Sequence, residues 1–89
     1  DEVKAELMKS TRALETLRLE TTKNEQMAEQ AKEALRILQD RYEEGLVSTT
    51  DLLRSQTQLA QTELALAQSV FKRNVTKAYI ELLTETNRK

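Results

Sequence analysis

The chain has 89 residues, with one glycine, no proline, no cysteine and no histidine, and a formal net charge of −1. Without Cys and His, thiol chemistry, imidazole acid–base catalysis and the common zinc sites are excluded. The near-balanced charge gives no electrostatic case for nucleic acid or an anionic membrane. Ala, Glu, Leu, Lys and Arg fill 49 of the 89 positions, the bias of a long helix or coiled coil. A hydrophobic content of 38% is low for a compact globule of this size, whereas an elongated helical object buries only a stripe. No run approaches ~18 consecutive apolar residues, so no segment is expected to span a bilayer as a helix. The N-terminus shows neither a basic-then-apolar leader nor an initiator Met, as expected of a mature chain or an excised piece.

The first element is predicted as a helix over about residues 2–43. One heptad row runs Leu7, Leu14, Thr21, Ala28, Leu35, Tyr42, and the other Val3, Ser10, Leu17, Asn24, Ala31, Leu38. Their 3–4 alternation is a coiled-coil pattern. Leu dominates both ends of the stripe, and its middle is small or polar. Asn24, on the seam, is expected to fix register.

Residues 44–48 interrupt the pattern and form the predicted turn. Gly45 suits the left-handed position that ends a helix. Ser48 and Asp51 bracket Ser48-Thr49-Thr50-Asp51, a capping box ahead of Leu52 and Leu53. A stop followed this closely by a start makes antiparallel neighbours.

A second helix is predicted over about residues 49–86. Leu53, Thr57, Ala60, Leu64, Ala67, Phe71, Val75, Ala78 and Leu82 share one face at a period near 3.6. Folding about the turn pairs positions whose numbers sum to about 92. That brings Leu38 to Leu53, Ala31 to Ala60, Ala28 to Leu64, Thr21 to Phe71, Leu17 to Val75 and Leu14 to Ala78. The expected seam therefore comprises Leu14, Leu17, Ala28, Ala31, Leu35 and Leu38 against Leu53, Ala60, Leu64, Phe71 and Val75. A second strip, Leu52, Leu59, Leu66, Val70 and Ile80, is left over, as are Met27, Ala34 and Ile37. It is expected to stay uncovered by the hairpin and to mark further helix–helix association. The fold class is thus an all-α, antiparallel two-helix coiled-coil hairpin over residues 1–89, roughly 55–65 Å long at ~1.5 Å rise per residue.

The block Arg41-Tyr42-Glu43-Glu44-Gly45-Leu46-Val47-Ser48-Thr49-Thr50-Asp51-Leu52-Leu53, followed by Gln58-Leu59, Leu64-Ala65 and Tyr79, resembles the TolC-type outer membrane efflux family. The resemblance covers roughly residues 28–83, and its specific part is the turn. It implies a subunit with two such hairpins plus β-strands. Three subunits form a β-barrel in the outer membrane, continued by an α-helical barrel through the Gram-negative periplasm. Its tips meet the adaptor (membrane fusion) protein of a tripartite multidrug efflux pump, coupled to an inner membrane pump, or of a type I secretion system. This chain, with one hairpin and no strand-like alternation, is then expected to be a tip-to-mid-tunnel piece of the larger α-helical barrel.

By that resemblance Gly45, Leu46, Val47 and Ser48 form the adaptor-docking tip. Tyr42 matches an aromatic that in some members bonds across the closed entrance, or else packs as a last-heptad residue. Asp51 matches an acidic gate position, or else serves as a helix cap. Val47 departs from the pattern, standing where one family repeat carries a gate Arg. Two other readings are an adaptor's own hairpin, disfavoured by Gly-Leu-Val-Ser where adaptors carry an Arg-x-x-x-Leu-Ser-type turn, and a structural coiled-coil arm of an unrelated protein. Lys72, Arg73 and Lys77 form a small basic cluster without aromatic interleaving, which reads as a solvated face. No carboxylate has a partner nucleophile or an enclosed pocket, so no enzyme activity, cofactor or metal is expected.

Overall fold

The computed structural model describes residues 1–87. Helix α1 spans Glu2–Glu43 and helix α2 spans Thr49–Asn87, and no strand occurs among the described residues. The two lie antiparallel in a rod of 67 × 14 × 14 Å, slightly longer than the length expected from the sequence. Asp1 opens α1 as its N-cap, its carboxylate accepting the Lys4 N–H at 2.9 Å. Contacts across the hairpin fix the register. Tyr42 meets Thr49, Asn24 meets Ala65 and Ser69, and Glu6 meets Tyr79. These numbers sum to 91, to 89 and 93, and to 85, so the expected register holds at the tip and middle and slips at the open end.

On α1 the seam follows both heptad rows. Ser10, Leu14, Thr21 and Ala28 are buried, and Val3, Leu7, Leu17, Asn24, Ala31, Leu35 and Leu38 are half-buried. Tyr42, at the end of its row, is 40% exposed.

On α2 the face is not the expected one. Leu53, Ala60, Leu64, Phe71 and Val75 are all exposed, Phe71 at 69%. The inward rows are Leu52, Leu59, Leu66, Arg73, Ile80 and Ser55, Thr62, Ser69, Thr76, Leu83, every one buried or half-buried. The strip expected to stay uncovered is the seam, and the expected seam is the outer face. The reason is geometric. Two helices that coil about each other must share a 3.5-residue period, and the two inward rows repeat every seven residues as α1 does. The expected stripe keeps sevens from Leu53 to Phe71 and then steps off with Val75 and Leu82, so it cannot face α1 along its whole length. Periodicity, more than hydrophobicity, decides which face turns inward.

Three of the four buried hydroxyls donate to a carbonyl of their own helix. Thr21 donates to the Leu17 carbonyl at 2.8 Å, Thr62 to Leu59 at 2.8 Å and Ser69 to Leu66 at 2.9 Å. Asn24 adds a tie across the seam, donating to the Ala65 carbonyl and to Ser69 Oγ. No buried side-chain nitrogen or oxygen among the described residues lacks a partner. Small polar side chains thus let the helices approach at little cost in unpaired groups. They also contribute little apolar burial: Leu14 and Ala28 are the only fully buried hydrophobic residues described.

The turn closes by two adjoining caps. Glu44 ends α1 in right-handed geometry and Gly45 follows at φ +76°. Leu46 N–H donates to the Arg41 carbonyl at 2.8 Å, and Gly45 N–H to Tyr42 at 3.0 Å, the paired bonds of a Schellman motif. A Cβ added at Gly45 meets nothing within 4 Å, so substitution there is opposed by φ alone. Gly45→Ala should therefore cost about 1 kcal/mol. Urea unfolding would show this as a lower midpoint at unchanged slope.

Candidate functional site: the tip and the outer face

The tip is rigid in its backbone and open in its side chains. Ser48 is the N-cap of α2: Asp51 N–H donates to Ser48 Oγ at 3.1 Å, and Ser48 N–H returns a bond to the Asp51 carboxylate at 3.4 Å. Asp51 is thus occupied as the carboxylate of a capping box. Val47 and Leu52 hold the staple positions on either side of this box, and both are half-buried. Tyr42 Oη shares a hydrogen bond of 3.0 Å with Thr49 Oγ1, which ties the last turn of α1 to the first of α2.

Leu46 is left projecting, 67% exposed, after two exposed residues, Glu44 and Gly45, and before the half-buried Val47. The amides of Gly45 and Leu46 are consumed within the Schellman motif. What the tip offers a partner is therefore an apolar side chain on a fixed loop. Gly45, Leu46, Val47 and Ser48 lie together in the turn, and the sequence gave no sign of the Tyr42–Thr49 clasp. Only a turn of known length brings those two hydroxyls within reach.

Compared with models of known protein families, with curated proteins and with solved structures, the chain matches none of them.

The second candidate surface runs along the rod. Leu53, Leu64, Phe71, Val75 and Leu82 are each more than half exposed and share the outer face of α2. Leu53, Leu64 and Val75 stand eleven residues apart, as do Ala60, Phe71 and Leu82. An eleven-residue repeat drifts in the opposite sense to a heptad. The two stripes of α2 thus run at different pitches. No helix of the described residues is long and apolar enough to cross a membrane, so this strip is not a span.

Charged groups cover much of the remaining surface. Arg36 bridges Glu33 at 2.6 Å and Asp40 at 3.2 Å on α1. Its hydrogen bond and charge hold the Glu33 carboxyl below the usual carboxylate range, and Glu33 raises Arg36 in turn. Exposed pairs of this kind are well screened. Among the described residues no cluster of three or more acidic side chains could hold a metal.

At the open end, Tyr79 donates to a Glu6 carboxylate oxygen at 3.3 Å. Loss of water around the ring, then the Glu6 charge and hydrogen bond, push its phenol above the ordinary value. Because the folded state holds this proton more tightly, the contribution to stability is present below the phenol's ordinary range and is lost as pH rises through the shifted value. In a Tyr42→Phe background, ultraviolet titration should place the Tyr79 midpoint above 10, the ordinary phenol value. Glu6→Gln should bring it part of the way down.

Proposed function

We propose that this hairpin is part of the tunnel wall of a trimeric outer membrane efflux or secretion duct resembling the TolC-type family. In this reading its tip docks with the hairpin tips of a periplasmic adaptor protein. The observation that carries the reading is the tip itself. The block from Arg41 to Leu53 folds into back-to-back helix caps that present Leu46 at the far end of a 67 Å rod. A rod end with a fixed backbone and one projecting apolar side chain suits an end-on junction, where little area is available and one anchor must supply much of the affinity. The uncovered outer face of α2 fits the same picture, since a tunnel wall needs helices packed on both sides of each hairpin. The chemistry asked of the protein is mechanical: it encloses and connects, and no catalytic group or cofactor is invoked.

The test uses the full-length protein in a strain whose export depends on this duct. Leu46→Asp should lower transport by about tenfold or more, the size of a lost interface anchor. Outer membrane abundance should stay at the wild-type level, and Lys9→Ala, far up the rod, should transport normally. Normal export with Leu46→Asp would reduce the turn to a connector.

A further inference from the structure

One concavity joins the two helices and carries positive charge alone. Leu14 and Arg18 of α1, with Arg73, Asn74 and Lys77 of α2, line a cleft of about 220 Å³. Leu14 is 8% exposed and Arg73 is half-buried, so the cleft reaches into the seam. Arg73 breaks a row that otherwise reads Leu52, Leu59, Leu66, Ile80. Arg18 and Lys77 stand beside the seam on the same side, at flanking positions that face each other in an antiparallel pair. Opposite charges there would attract, and these repel.

None of the three cations has a carboxylate within ion-pair distance among the described residues. Among the described residues, ion pairs join only Lys32 to Glu29 and Arg36 to Glu33 and Asp40, all on α1 nearer the tip. No carboxylate lines the cleft. Two guanidinium forks, one ammonium and the Asn74 amide supply many donors and a single acceptor. Arg18, Asn74 and Lys77 are exposed and Arg73 is half-buried, so an anion seated here would meet donors from both helices at once.

We propose that this cleft binds a small tetrahedral oxyanion, of the phosphate or sulfate type, which cross-links α1 to α2 at mid-rod. The shape of the donor set selects the ligand. A planar carboxylate satisfies one guanidinium edge to edge, whereas four oxygens in a tetrahedron can face Arg18, Arg73 and Lys77 from separate directions. The cleft exists only when the hairpin is closed, so binding is linked to folding and stabilises it by mass action.

The experiment titrates the 89-residue chain with sodium phosphate at pH 7, with ionic strength held by sodium chloride. It follows amide shifts and the thermal midpoint. Saturable shifts confined to the segments around residues 14–18 and 73–77 are expected, half-complete at about 1 mM, with a rising midpoint. Lys77→Gln should weaken binding roughly tenfold or more, the effect of one charged hydrogen bond. Arg73→Leu completes the apolar row, so it should fold at least as well without phosphate and show no saturation with it. Lys9→Gln, outside the cleft, should bind as wild type does. Shifts that grow linearly without saturating, equal affinity in Lys77→Gln and wild type, or acetate binding as tightly as phosphate would each overturn the proposal.

Discussion

Leu66→Asp should unfold much of the hairpin at ambient temperature, while Phe71→Asp, five positions on, should leave it folded. By side-chain size and hydrophobicity Phe71 is the more conspicuous residue. Yet it is 69% exposed, and Leu66 is half-buried in the seam. A carboxylate at Leu66 loses the burial of a leucine and must also be desolvated or expelled, costing about 3 kcal/mol or more. A rod in which Leu14 and Ala28 are the only buried apolar residues among those described has little to spare against such a loss. At Phe71 the carboxylate replaces a ring that already faces water, and the expected change is within about 0.5 kcal/mol. Far-ultraviolet circular dichroism with thermal scans, at concentrations low enough to limit association, separates the two. Unfolding by Phe71→Asp together with tolerance of Leu66→Asp would mean that α2 is turned the other way.

That contrast also marks where the sequence was legible. Helix α1 carries one continuous heptad stripe, anchored by Leu7 and Leu14 at one end and Leu35 and Leu38 at the other, and its other apolar residues, Met8, Leu19, Met27 and Ile37, form no row of that length. The turn was legible for a similar reason: Gly45, Ser48 and Asp51 each have a single local role, and the Schellman bonds and the capping box fill those roles. Helix α2 carries two stripes. Its more hydrophobic one, through Leu53, Leu64 and Phe71, looks like the core to any reading that weighs apolarity. The inward one is diluted by Ser55, Thr62, Ser69 and Thr76, whose hydroxyls bond within their own helix or lie at half-buried positions. The usable signal was phase: the diluted stripe keeps the seven-residue repeat of α1 along the whole helix, whereas the outer one steps off it between Phe71 and Val75. The cationic cleft was illegible because Arg18 is distant in sequence from Arg73 and Lys77, and only the register brings the three together.

The last expected result joins the outer stripe to the proposed function. On the tunnel-wall proposal, Phe71→Asp or Leu64→Asp in the full-length protein should block assembly of a trimer, although the same change is silent for the hairpin alone. Both residues are more than half exposed in the isolated rod, at 69% and 59%, so neither holds α1 to α2. A tunnel wall places another helix against that face, and each carboxylate would then be buried in an apolar contact at a cost of several kcal/mol. Repeated in every subunit around the ring, that cost should leave little trimer in mild detergent or on sizing columns. A charge placed on the solvated face of α1, as in Glu29→Lys, removes one exposed ion pair with Lys32 and should leave assembly intact. Wild-type trimer yield from Phe71→Asp and Leu64→Asp would show that the outer stripe faces solvent in the assembled protein. The tunnel-wall reading would then lose its packing argument and stand on the tip alone.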